Sequence, residues 1–131
     1  MSENSVVVIT GANRGIGLEL ARLYAKRGCS LIGVCRETSP ELEEVATKVI
    51  DGVDLTTDQG VAKLVADLDG QRIDLLINNA GLLQDEKLGS INFDSIRTQM
   101  EINAYAPLRV AEALVEHIPS GGKIANVTSR M

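Results

Sequence analysis

Residues 6–17 read VVVITGANRGIG. The first five are mostly β-branched and favour a strand. A glycine-rich turn follows, and then an amphipathic stretch from Ile16 to Arg27. Strand, glycine turn and helix inside one βαβ unit is the arrangement that holds a pyrophosphate. Gly11 permits a tight turn out of the strand. Gly15 and Gly17 let the backbone approach a ligand and let the helix approach the sheet. The helix N-terminus then offers free N–H groups and about half a positive charge to a phosphate. The alternative is a glycine-rich turn with no ligand, and the flanking strand and helix argue against it.

Working outward, the same alternation continues. Gly28 ends the first helix as a C-cap glycine. Ser30 to Cys35 is a second strand. Pro40 marks a helix start, where its missing N–H costs nothing. Residues 48–55, KVIDGVDL, are a third, short strand. Val61, Leu64, Val65 and Leu68 recur at helical spacing within Asp58–Leu68. Ile73 to Asn78 is a fourth strand, Phe93 to His117 one long helix, and Lys123 to Ser129 a fifth strand. The strands are nearly continuous apolar runs, as expected when helices cover both faces of a parallel sheet. The expected fold class is therefore α/β: a three-layer, Rossmann-type doubly wound sheet with five strands in the order 3-2-1-4-5. Residues 1–131 are expected to form one dinucleotide-binding domain. The polar segment Leu82–Ser90 is the least ordered candidate.

Composition narrows the partners. The chain has 131 residues, 44% of them hydrophobic, and a net charge of −5. That charge disfavours a nucleic-acid backbone or an anionic membrane surface, although local basic residues can still hold one phosphate. No stretch approaches the apolar length of a membrane span. Cys29 and Cys35 flank one strand. Six residues of extended chain separate their Cα atoms by about 20 Å, against a disulfide limit near 7 Å. Two such thiols suggest a reducing compartment, so a cytoplasmic location is expected.

The glycine spacing is T-G-x-x-x-G-x-G (Thr10–Gly17). With NNAG (Asn78–Gly81) after the fourth strand, it resembles the short-chain dehydrogenase/reductase family, most closely its carbonyl-reductase and C-factor-like branch. VDLT (Val53–Thr56), EINAYAPLRV (Glu101–Val110) and NVTSR (Asn126–Arg130) follow in the family's order, so the likeness covers essentially the whole chain. It implies hydride transfer between a nicotinamide dinucleotide and a carbonyl or alcohol. The dinucleotide-binding residues it implies are Gly11, Asn13, Arg14, Gly15, Ile16, Gly17, Arg36, Asp54, Leu55, Asn79, Ala80 and Gly81. The two Asn side chains of NNAG are expected over the ribose, and Asp54 beside the adenine. Asn103 matches the Asn that anchors a relay water, and Ser129 the Ser that polarises the carbonyl.

The second strand bears on which dinucleotide. An acid at its tip would favour a ribose 2′-OH. That position is Cys35 here, followed by Arg36, with Arg14 nearby. Two guanidiniums on one ribose favour a 2′-phosphate, so NADP(H) is preferred. Glu37, one residue further, keeps NAD(H) possible.

The resemblance also implies a Tyr-x-x-x-Lys pair about a dozen residues after Ser129, beyond Met131. The chain is therefore expected to be truncated relative to the family, lacking its later strands, and weak or inactive alone. Tyr24 is followed at the fourth position by Gly28, not Lys. Tyr105 is followed by Arg109, and it reads as a helix-packing aromatic. His117 reads as a helix-end cation. Two alternatives stay open: a non-catalytic dinucleotide-binding module that regulates or signals, and a relic. Self-association is expected through helix 93–117 or through the unpaired edge of the fifth strand.

Overall fold

The computed structural model describes residues 2–129. Five parallel strands form one sheet: β1 (Val6–Thr10), β2 (Ser30–Val34), β3 (Lys48–Ile50), β4 (Leu75–Asn78) and β5 (Lys123–Asn126). Their spatial order is β3-β2-β1-β4-β5, as the alternation predicts. Side chains along β1 alternate between the two faces, which is the period-2 geometry of a strand. Val6 and Val8 join a core with Ile32, Val34, Leu64, Leu76, Val110 and Leu114. Val7 and Ile9 join a second core with Leu18, Ala21, Leu31, Leu42 and Ile77. Burial on both faces explains why no polar alternation interrupts these strands.

The helices are α1 (Gly15–Lys26), α2 (Pro40–Val45), α3 (Asp58–Leu68), α4 (Phe93–Met100) and α5 (Ala106–Leu114). Pro40 occupies the first turn of α2, and the Ser39 hydroxyl caps it by accepting from Leu42 N–H. Thr57 caps α3 and Asn92 caps α4 in the same way. Gly28, at φ +84°, ends the turn after α1.

Four strands are shorter than expected, β5 among them, which ends at Asn126 rather than Ser129. β2 stops at Val34, and β3 stops at Ile50, because Gly52 at φ +67° turns the chain away from the ladder. β4 begins at Leu75 rather than Ile73. The Ile73 N–H is instead donated to the His117 carbonyl, tying the buried Ile73 to the end of the helical run 93–117 that follows β4. β5 covers Lys123–Asn126 and all four of its residues are exposed.

The expected single helix over 93–117 is continuous but not uniform. Glu101–Tyr105 is a π turn between α4 and α5, and Val115–His117 is a 3₁₀ turn. The Ala106 N–H donates to Glu101 O, five residues back. Pro107 has no N–H to give the Asn103 carbonyl, so the regular i to i−4 ladder cannot pass this point. Tyr105 stands 49% exposed on this turn, not packed between helices as its sequence position suggested. Both cysteines are buried and free. Among the described residues no helix is long and apolar enough to cross a membrane.

Candidate functional site

Where β1 and β4 end, the chain makes two turns that hold each other. The first is the glycine loop after Thr10. Gly11 and Gly15 both have positive φ, at +66° and +58°. A Cβ on Gly11 would lie 2.8 Å from the Ala80 Cα, so this turn admits no side chain against the Asn-Asn-Ala-Gly turn. A Cβ on Gly17 would overlap the Gly11 carbonyl and the Asn79 amide. Gly17 therefore lies beneath the loop and lets α1 approach the sheet, whereas Gly11, Asn13, Arg14, Gly15 and Ile16 line the open groove. The Ser39 hydroxyl donates to Asn13 O at 2.6 Å and ties the loop to the start of α2.

Three clamps hold the second turn. Buried Thr10 accepts at Oγ1 from Asn79 N–H (3.0 Å) and Ala80 N–H (3.1 Å). Asn79 Nδ2 donates to Gly11 O at 3.1 Å. Asn103, in the middle of the π turn, grips Leu82 with both ends of its amide. Its Oδ1 accepts from Leu82 N–H at 2.8 Å, and its Nδ2 donates to Leu82 O at 2.6 Å. The extra residue of the π turn thus presents a side chain that a regular helix would aim elsewhere.

Asn78 departs from the sequence reading. It is 4% exposed and lies in the strand layer, with Nδ2 donating to Asn126 Oδ1 at 3.0 Å. Its Oδ1 has no partner among the described residues. Of the two expected over a ribose, only Asn79 lines the groove beside the glycine loop; Asn78 lines it only at the Asn103 end.

That groove has two lobes. The first, of about 740 Å³, is lined by the glycine loop, by Cys35, Arg36 and Glu37 after β2, by Asp54, Leu55 and Thr56, and by Asn79–Leu82. The second, of about 910 Å³, is lined by Asn103, Ala104, Pro107 and Leu108 and by Asn126–Ser129. Ile16 and Asn79 through Leu82 line both lobes, which makes them one continuous groove. Every expected binding residue except Gly17 lines the first lobe, and Asn103 and Ser129 line the second. Arg130, the last residue of the NVTSR motif, lies outside the described residues.

The first lobe suits an anion at one end and a hydrogen-bonding group at the other. α1 lacks the side-chain cap that α2, α3 and α4 have, so no side chain covers its N-terminal N–H groups, the condition an anion site requires. Arg14 and Arg36 lie on the same lobe. Asp54 Oδ1 accepts from Thr56 Oγ1 at 2.6 Å and from Thr56 N–H at 3.0 Å. These bonds, and to a lesser degree the nearby Arg36 charge, hold its carboxyl below the ordinary value of 3.8. Asp54 is thus ionised at neutral pH, with Oδ2 free of these two bonds. The Cys35 thiol is pushed up to about 11, first by burial and then by the charges of Asp51 and Glu43. It is a neutral wall, not a nucleophile.

Sequence reasoning missed Thr10 as an anchor, the Asn78–Asn126 pair, and the contribution of Ile102 and Ala106 to the first lobe. Thr10 opens the motif and Pro107 interrupts the helical pattern, so both signals were present in the sequence.

The arrangement has counterparts. The family model described as short chain dehydrogenase matches residues 5–131. A 1-hydroxy-2-glutathionyl-2-methyl-3-butene dehydrogenase from a Rhodococcus species is 35% identical over 129 residues, covering 97% of this chain and 57% of the relative. The 2-dehydro-3-deoxy-D-gluconate 5-dehydrogenase of Escherichia coli is 28% identical, covering 98% of this chain and 55% of the relative. A crystal structure of a carbonyl reductase from Pseudomonas aeruginosa in complex with NADP superposes with a TM-score of 0.88 at 32% identity. That match covers 98% of this chain and 60% of the reductase. The chain thus spans a little over half the length of the relatives it matches. Because the family match runs unbroken through the glycine loop, the Asn-Asn-Ala-Gly turn and the π turn, this chain belongs to the short-chain dehydrogenase family.

Proposed function

We propose that this chain binds NADP(H) in the first lobe and presents a carbonyl or alcohol to it in the second. It does so as the dinucleotide-binding portion of a short-chain oxidoreductase. The observation that carries this reading is the convergence of an uncapped helix N-terminus, Arg14 and Arg36 on one lobe that runs directly into the lobe of Asn103 and Ser129. When bound, the dinucleotide supplies hydride transfer at its nicotinamide. The chain's own residues do the positioning. Backbone N–H groups of the glycine loop hold the pyrophosphate, and Arg14 and Arg36 hold a ribose 2′-phosphate with paired donors. Asp54 Oδ2 accepts from the adenine amino group, with the Leu55 backbone beside it. Asn79, Ala80 and Gly81 set the floor beneath the nicotinamide ribose. The Ser129 hydroxyl donates to the substrate carbonyl and stabilises charge that develops on its oxygen. Asn103 holds the Leu82 backbone and so fixes where the two lobes meet.

A second reading, a non-catalytic dinucleotide-binding module, is the other outcome that the experiment below separates. Self-association fits either reading, because β5 offers an exposed edge and Leu108 and Val115 stand exposed on the helical run 93–117.

Fluorescence titration with NADPH and NADH, followed by NADPH oxidation with a panel of aldehydes and ketones, tests the proposal. NADPH should bind at least about tenfold tighter than NADH, because a charged hydrogen bond is worth about 1.5–3 kcal/mol. Arg36→Ala should remove that preference. Binding with no turnover selects the module. Absence of binding by either dinucleotide overturns both readings.

A further inference from the structure

Resting on the reading of the groove as a carbonyl-binding site, we infer that the second lobe selects an uncharged aldehyde or ketone with hydrocarbon substituents. It would discriminate against polyhydroxylated and anionic carbonyl compounds. Membership of the family does not supply this class, since the named relatives act on chemically different compounds.

The lobe is about 910 Å³, within the range of small-molecule sites. Among the described residues no charged side chain lines it. Its hydrogen-bonding side chains are carboxamides and hydroxyls, notably Asn103, Thr128 and Ser129, all neutral. Asn103 already spends both amide ends on Leu82, so it has little left to offer a substrate hydroxyl. The remainder is hydrocarbon. Ile16, Leu83 and Leu108 line the lobe at 64%, 65% and 68% exposure. Large apolar side chains so exposed around a few convergent polar groups mark a ligand groove. Among the described residues, an anion entering here loses water and meets no cation. A polyol finds the few carboxamides and hydroxyls of Asn78, Asn79, Asn126, Thr128 and Ser129, and its remaining hydroxyls lie against hydrocarbon. Both losses act against binding.

The same exposed residues would also suit a second copy of the chain, and the experiment separates the two. The NADP⁺-loaded and ligand-free 131-residue chain, labelled with ¹⁵N, is titrated with 2-heptanone, L-sorbose and pyruvate. The backbone amides of Leu82, Leu83, Ala104 and Thr128 are followed. The proposal expects 2-heptanone to move these amides with a dissociation constant at least about tenfold below that of either other ketone. It also expects Leu83→Glu and Leu108→Glu, at exposed positions, to weaken 2-heptanone by a similar factor. NADPH fluorescence, run in parallel, reports on the first lobe alone. If NADPH fails to bind, the dinucleotide reading falls while the ketone contrast is still read on the ligand-free chain. Equal or tighter binding of L-sorbose or pyruvate overturns the inference. So does a Leu108→Glu variant that dissociates a dimer in sedimentation while 2-heptanone moves no amide in either form.

Discussion

Replacing Gly17 with alanine tests the central claim that α1 must lie against the glycine loop. The added Cβ would overlap the Gly11 carbonyl oxygen and the Asn79 Nδ2 that donates to it. The first of these atoms is backbone and cannot swing aside. Forcing a methyl into packed surroundings costs about 1–3 kcal/mol. Losing the Asn79-to-Gly11 hydrogen bond adds about 0.5–1.5 kcal/mol. The sum, about 1.5–4.5 kcal/mol, is a large share of the 5–15 kcal/mol that typically separates folded from unfolded states. With a urea slope of about 1–3 kcal/mol/M, the midpoint should fall by roughly 1–2 M with the slope unchanged. Gly15→Ala is the comparison. Nothing lies within 4 Å of a Cβ at Gly15, and its φ of +58° is the only obstacle. A left-handed alanine costs about 1–2 kcal/mol. Gly17→Ala should therefore be the more damaging, and NADPH affinity should fall in both. Urea melts in which Gly17→Ala matches the unsubstituted protein, or is milder than Gly15→Ala, refute the packing argument.

Three further outcomes are expected. Thr10→Val removes the shared acceptor of Asn79 N–H and Ala80 N–H, at about 1–3 kcal/mol for each donor left without a partner. Thr10→Ser should restore most of that loss in a urea melt. Thr56→Val removes the largest cause of the lowered Asp54 pKa. Because the folded carboxyl titrates below its ordinary 3.8, its stabilisation is present above the unfolded pKa and is lost as pH falls through the folded one. The variant should therefore be the less stable at pH 7, and the gap should close as pH falls below the ordinary carboxylate value. A gap that persists or widens in acid would reject this assignment. Cys35, pushed up to about 11 and buried, should resist iodoacetamide at pH 8 while folded and react once urea unfolds the chain, as mass spectrometry of the alkylated peptide would show.

The order of the elements could be read from the chain because both faces of the sheet are buried. Val6–Thr10 and Ser30–Val34 are apolar on both parities, which leaves little but a central parallel strand. The glycine loop could be read because Gly11, Gly15 and Gly17 each answer a different backbone requirement. What escaped was the set of features decided by a single hydrogen bond. A helical periodicity cannot register one extra residue, so Phe93–His117 reads as a regular helix even though Asn103 owes its grip on Leu82 to the π turn. Asn78 and Asn79 are indistinguishable by type. Strand geometry sends successive side chains to opposite faces, and only the pairing of β4 with β5 puts Asn78 against Asn126.

These details change how the site should be understood. Asn79 through Leu82 form the floor shared by both lobes, and that floor has no regular secondary structure of its own. Its position is set from three directions: by Thr10 at the tip of β1, by the Gly11 carbonyl under α1, and by Asn103 on the π turn. Thr10 ends a strand that is buried throughout, Gly11 directly follows it, and the π turn of Asn103 runs straight into α5, whose Ala106, Val110 and Leu114 are buried. The floor therefore inherits the rigidity of the sheet while keeping backbone groups free for a ligand, as a binding surface carried on a loop requires. It also follows that Asn103 cannot be assigned to the substrate lobe alone. Its amide holds the backbone of Leu82, which lines both lobes, so its removal would loosen the dinucleotide lobe as well. A role for Asn103 inferred only from lost turnover would confuse positioning with chemistry. The two separate only when dinucleotide affinity and turnover are measured on the same variant.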